Sequence, residues 1–179
     1  IIPWIQPMAI DALVKPFLHL PLFQGLRPLQ LTEIVRRADR IIYRPGDIII
    51  TEDQVGEAAI VIVSGEAVRL NGSESSDAAE SVPEGSMIGE LAMLVETIHS
   101  ATILAKTTVK ALRLTRTEMQ DAMADDPKLA DHLTQKISER LHRMAEELRS
   151  VDRALADLSA YEAHKHGAST YGYTPLSLH

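Results

Sequence analysis

The segment best equipped for chemistry is Val82 to Thr107, VPEGSMIGELAMLVETIHSATILAKT. A Pro83-Glu84-Gly85 turn leads through Ser86-Met87-Ile88 to Gly89, and the helix-forming run Glu90, Leu91, Ala92, Met93, Leu94 follows directly. Glycine beside a helix start lets backbone N–H groups approach an anion, and the helix N-terminus adds partial positive charge. The outline is that of a phosphate cradle, though a glycine before a helix is on its own usually only a turn. Other chemistry finds little support. Gly85-Ser86-Met87-Ile88-Gly89 has its serine in the wrong place for a G-x-S-x-G elbow, and neither G-x-G-x-x-G nor G-x-x-x-x-G-K-[ST] occurs. There is no cysteine, which removes disulfides, thiolate metal sites and a cysteine nucleophile together. Of seven histidines only His99 falls in the β-rich part; His132 and His142 read as helix-surface residues, and His164 and His166 as solvated ones. The residues therefore predict no catalytic site, no metal and no cofactor.

These groups must be held by a core of modest size. The chain has 179 residues, 45% apolar and 24% charged, which suits one globular core with appendages. A formal net charge of −7 argues against non-specific binding to nucleic acid or anionic membrane. The longest purely apolar runs, such as Ala58 to Val63, fall far short of a membrane span, and no basic stretch leads into an apolar one at the N-terminus. A cytoplasmic location is expected on that basis. The chain begins at Ile1, which predicts a piece of a longer protein.

Met8 to Leu20 carries helical spacing interrupted at Pro16, and Leu29 to Ala38 carries a second helical pattern. From Arg40 the period changes. Ile41–Tyr43, Asp47–Thr51, Ala58–Leu70, Ser100–Lys106 and Thr108–Thr115 are short, β-branched and punctuated by Pro45-Gly46, Gly56, Gly65, Asn71-Gly72 and Pro83-Glu84-Gly85. Strands spaced like this predict a sandwich or barrel, with the acidic stretch 71–81 as a hairpin tip. Thr115 and Glu118 have capping-box spacing. After Pro127, Lys128 to Lys165 contains no Gly or Pro and would run about 57 Å as one helix. Ile137, Leu141, Met144, Leu148, Val151, Leu155 and Leu158 step by four and three, a heptad seam that predicts a homodimer through a parallel coiled coil. The expected division is a helical segment over 1–38, a β-roll over 39–126, a dimerisation helix over 127–165 and an irregular tail over 166–179.

With these pieces in order the sequence resembles the cyclic nucleotide-binding domain family of catabolite-activator-type regulators, kinase regulatory subunits and gated channels. The likeness runs from about Pro21 to Leu148, through PLFQGL, RPGDIIITEDQ, IVIVSGEAVRL, EGSMIGELAML and SATILAKT. It implies an α+β, mainly β fold: a jelly-roll-like β-roll of about eight strands, N-terminal helices, and a long C-terminal helix covering the ligand. It also implies that Gly89, Glu90, Leu91 and Ala92 hold the cyclic phosphate on backbone amides, with Glu90 accepting from the ribose 2′-hydroxyl. The family's phosphate-pairing arginine lies nine residues after that glutamate, a position held here by His99, and Ser100 matches a position whose hydroxyl often touches the phosphate. Asp53 stands where the family commonly has glycine, in a turn aspartate tolerates.

The expected function is thus a non-enzymatic regulatory module that binds a cyclic nucleotide, most readily cyclic AMP, or another small anion. Its C-terminal helix would transmit the signal. The rival is a degenerate domain that keeps the fold and serves as a dimeric interaction scaffold. Family members that bind DNA carry a winged helix-turn-helix after the long helix, and only fourteen residues follow Lys165, so no DNA binding by this chain is expected.

Overall fold

The computed structural model describes residues 2–3, 10–70 and 79–167. Of the expected hairpin tip over 71–81, residues 71–78 lie outside them, while Glu80 and Ser81 belong to a strand that pairs back onto the sheet; of the expected irregular tail over 166–179, residues 168–179 lie outside them, while 166 and 167 continue the long helix. The helical entry is α1 (Ile10–Val14), a 3-10 stretch Lys15–His19 and a second one Pro21–Phe23, then α2 (Pro28–Arg37). The break between α1 and the first 3-10 stretch falls beside Pro16, which cannot donate to a helical ladder. In α2, Pro28 occupies the first turn, where its missing N–H costs nothing, and Gln30 Oε1 accepts the Arg27 N–H at 3.0 Å.

Eleven strands are present among the described residues: β1 (Ile2–Pro3), β2 (Asp39–Tyr43), β3 (Ile48–Ile50), β4 (Val55–Gly56), β5 (Ala58–Ser64), β6 (Ala67–Leu70), β7 (Glu80–Val82), β8 (Met87–Ile88), β9 (Thr97–Ile98), β10 (Thr102–Ala105) and β11 (Val109–Thr115). They form a five-stranded sheet in the order β1-β2-β11-β5-β8, a four-stranded sheet β3-β10-β6-β7 and a two-stranded ribbon β4-β9, with every pair antiparallel. Ile41, Tyr43, Ile60, Ile62 and Ala111 from the larger sheet meet Ala67, Val82, Ile103 and Ala105 from the smaller one in a single buried cluster. The two sheets close on each other as a roll. Leu112 and Leu114 alternate with Ala111 along β11, and Ala59 and Val61 with Ile60 along β5; all of them are buried. Both strands are therefore covered on both faces along these stretches, which explains the continuous apolar run of β5, Ala58 to Val63, while β11 carries Lys110 and Arg113 at half-buried positions.

Two further helices follow, α3 (Arg116–Asp125) and α4 (Pro127–Gly167). Thr115 caps α3, its hydroxyl accepting the Glu118 N–H at 3.2 Å. Asp126 caps α4 by accepting from Lys128 and Leu129, and Gln30 Nε2 donates to the same carboxylate at 2.8 Å. The Gln30 bond holds the Asp126 carboxyl below its ordinary range, with the two backbone N–H groups acting the same way. The chain divides into two compact units, Ile1–Thr134 and Gln135–His179. Within the first, Leu129 and Leu133 of α4 are buried. Within the second, Leu141, Met144, Leu148, Val151, Leu155 and Leu158 are between 47% and 67% exposed, and Ile137 is half-buried. The predicted architecture of helices, antiparallel β-roll and long C-terminal helix is present.

Candidate cyclic nucleotide site

Gly89 leads into a 3-10 turn, Glu90–Met93, with φ +64° and ψ 37°. This left-handed conformation is strained for residues with a side chain, and the space beside it is tight as well. A Cβ on Gly89 would lie 3.3 Å from His99 Cε1 and 3.4 Å from the Ala58 carbonyl oxygen. Glu90 and Leu91 are half-buried, whereas Ala92 and Met93 are buried. The Ala92 N–H closes the turn onto the Gly89 carbonyl at 2.9 Å. Ala92 thus contributes backbone and packing, with no open side-chain face.

The β4-β9 ribbon presents His99 to this turn. Val55 pairs with Ile98 and Gly56 with Thr97. Past the ribbon's end, the His99 N–H donates to the Gln54 carbonyl at 2.9 Å and the Asp53 N–H donates to the His99 carbonyl at 2.9 Å. Asp53 takes φ +61°, the left-handed turn expected of an aspartate in a glycine's place. Side chains alternate along a ribbon, so Val55 and Ile98 point one way and His99 the other. A Cβ on Gly56 would lie 2.8 Å from His99 Cε1, 3.1 Å from His99 Nε2 and 2.7 Å from the Ala92 Cβ. The imidazole is therefore seated against Gly56 on one side and Gly89 on the other. Desolvation there holds its pKa below the ordinary 6.5, because burial disfavours the charged form. Ser100, next along, is exposed.

Arg116 completes the surroundings. Its Nε donates to the Ala92 carbonyl at 3.1 Å, a terminal nitrogen donates to the Gly56 carbonyl, and its backbone N–H donates to the Glu57 carbonyl at 2.8 Å. It is also the first residue of α3, where a cation faces the positive end of the helix dipole at a cost of about 0.3–1 kcal/mol. A hydrogen bond from a charged donor contributes about 1.5–3 kcal/mol, so its two bonds outweigh that cost. Sequence reasoning passed over Arg116 and Gly56. The one signal for Arg116 was a basic residue in a first helical turn; Gly56 read only as strand punctuation. Among the described residues no group of three His, Asp or Glu is arranged to hold a metal ion.

A β-roll whose cassette turn closes over a ribbon residue defines a class, and comparison with known proteins places the chain in it. The signature of the cyclic nucleotide-binding domain family matches residues 40–126, just under half of the chain, and that stretch is a domain of this family. Two relatives named "cAMP-dependent protein kinase regulatory subunit" are similar to it. The one from Aspergillus niger is 38% identical over 99 residues, and the one from Schizosaccharomyces pombe is 30% identical over 106. These alignments cover 55% and 59% of this chain but only 24% of each relative, so the chain spans about a quarter of their length. Among solved structures, the N-terminal domain of a transcriptional regulator from Streptomyces coelicolor superposes with a TM-score of 0.67 at 24% identity, covering 74% of this chain and 94% of that one. The Thermus thermophilus Catabolite Activator Protein superposes with a TM-score of 0.57 at 23% identity, covering 74% of this chain and 63% of that one. These two share the fold. No helix among the described residues is long and apolar enough to cross a membrane.

Proposed function

We propose that this chain is a regulatory module that binds a cyclic nucleotide, cyclic AMP in the first instance, at the Gly89 turn. The observation that carries the reading is the seating of His99 between Gly56 and Gly89, beneath the Glu90–Met93 turn. The names of the kinase regulatory subunits supply the ligand. In this reading the turn's backbone receives the cyclic phosphate, Glu90 accepts from the ribose 2′-hydroxyl, and Ser100 offers its hydroxyl. His99 takes the place of an arginine ion pair. Arginine carries a permanent charge on a planar fork, whereas His99 offers one donor and is charged only at low pH.

The sign of the pH effect follows from the titration. Burial lowers the His99 pKa in the free protein, so the ring is neutral at pH 7. A bound phosphate favours the imidazolium and raises that value, so binding tightens as pH falls. Calorimetric titration of cyclic AMP at about pH 6 and pH 8, on either side of the ordinary histidine value, should show tighter binding at the lower pH. His99→Arg should bind about ten- to a hundred-fold more tightly, the equivalent of one charged hydrogen bond. Saturable binding with no pH dependence and no gain in His99→Arg removes His99 from the site. No binding by the parent but clear binding by His99→Arg favours the second reading, a domain that no longer binds nucleotide and acts as a scaffold. The neutral imidazole is what gives that reading weight.

The exposed seam from Leu141 to Leu158 supports a homodimer through a parallel coiled coil. Residues 135–167 carry six Lys or Arg and six Asp or Glu, so self-association meets no net repulsion. Polar residues at Leu148 and Leu155 together should yield a monomer by light scattering, and an unchanged mass overturns the dimer. Transmission through the helix requires that hydrogen exchange over 129–148 respond to saturating cyclic AMP; identical exchange overturns it.

A further inference from the structure

We propose that Arg116 is the positioning residue of the site: it pins the two walls of the His99 slot together and sets the strength of binding without touching the ligand. The slot has two backbone walls. One is Gly56 at the end of β4, the other is the turn from Gly89 through Ala92, and His99 lies against both. These walls belong to segments more than thirty residues apart, and Gly56 and Gly89 bring no side chain that could link them. Arg116 supplies that link. Its Nε donates to Ala92 at 3.1 Å and a terminal nitrogen donates to Gly56, one rigid guanidinium spanning both. The backbone N–H of Arg116 also holds Glu57, next to Gly56, so the β4 wall is gripped twice by the same residue. A planar fork fixes the separation of two acceptors in a way that the single ammonium of a lysine cannot.

The placement of Arg116 agrees with this role. A cation in the first turn of α3 works against that helix, so its presence there is explained by the carbonyls it reaches. Both of its side-chain acceptors are neutral, and no ion pair within the described residues engages the guanidinium. The charge thus stays close to the site, with Nε and one terminal nitrogen engaged by the two walls. Loss of the fork would let the β4 wall and the turn separate, admit water around His99 and disorder the backbone that receives the phosphate. The binding half of this inference rests on the cyclic nucleotide reading above; the slot-geometry half does not.

The test uses the full chain with Arg116→Gln and Arg116→Lys, and reads both the NMR titration of the His99 ring and the calorimetric affinity for cyclic AMP. Thermal melting by circular dichroism selects variants that remain folded; Arg116→Lys serves if Arg116→Gln does not fold. In Arg116→Gln the His99 titration should move up toward the ordinary histidine value, and affinity should fall about ten-fold or more. Arg116→Lys retains the charge and loses the fork, so the same displacement in part, with a partial loss of affinity, separates slot geometry from simple charge. An unchanged His99 titration in a folded variant overturns the proposal, as does an Arg116→Lys protein that matches the parent in both measurements. Failure of the parent to bind cyclic AMP counts against the cyclic nucleotide reading and leaves the His99 titration to decide the role of Arg116.

Discussion

The segment 10–134 and the helix 135–167 handle their apolar residues in opposite ways. The first buries most of its large ones: Leu13, Phe17, Ile34, Val61, Ile62, Leu112, Leu114, Met119 and Leu133 are all 1% exposed or less, with scattered exceptions such as Leu29 at 73% and Ile98 at 66%. The second leaves a stripe from Leu141 to Leu158 between 47% and 67% exposed. Burying a leucine-sized side chain contributes about 1.5–3 kcal/mol, so the first region has its stability within itself and the second has that contribution still to gain. In proteins most of a helix's stability comes from packing an apolar face rather than from its own hydrogen bonds. The contrast is between a core complete in itself and an apolar stripe that remains open, the stripe on which the proposed dimer rests.

The sharpest way to break the comparison is a large-to-small change in each region. Leu112→Ala, at the centre of β11 between β2 and β5, should cost about 2–5 kcal/mol in denaturant unfolding. Leu141→Ala in the monomeric background, with Leu148 and Leu155 already polar, should leave the β-roll transition where it is; equal losses at the two positions would erase the distinction. Next in size is Gly56→Ala. A methyl group there would fall 2.7 Å from Ala92 and 2.8 Å from His99, an overpacking that costs about 1–3 kcal/mol and displaces the ring; a thermal melt and the His99 titration measure both. The smallest change is Thr115→Ala, which removes the α3 cap and should lower stability by about 1 kcal/mol without altering the mass of the assembly. Asp126 adds a pH-dependent counterpart. Its folded pKa is lowered below 3.8, so its stabilising effect is present above that value and is lost as pH falls through the lowered one. Asp126→Asn should therefore flatten the acid side of the stability curve.

Most of the frame was legible because each long element announces itself. Helix α2 begins at Pro28, α3 at the Thr115 cap and α4 at Pro127, and β5 and β11 read as the longest strands, rich in Val, Ile, Leu and Ala. The strands that shape the site were not legible. β4, β8 and β9 have two residues each, too few for any period, and they exist because the roll supplies their partners. The same limit applies to side chains. Gly89 and His99 could be named from local spacing and family likeness, since they lie ten residues apart. Gly56 and Arg116 act across the fold, on Ala92 and on each other, and no local pattern records such contacts. The Glu90–Met93 turn was expected to be helical, and its 3-10 form follows from its length of four residues.

The place of β11 bears on how the chain is made. The strand lies between β2 and β5, and it is the last of the eleven to leave the ribosome. Until then β2 has only β1 beside it, and the five-stranded sheet lacks its middle. The helical entry waits longer still, because the Gln30 side chain, 9% exposed, finds its partner in Asp126, 96 residues later. The nascent β-roll should stay open through most of its synthesis and close in one late step. Mistakes in the final thirty residues of the roll and its cap therefore put the whole product at risk, whereas mistakes beyond Thr134 reach a chain whose first unit is already complete.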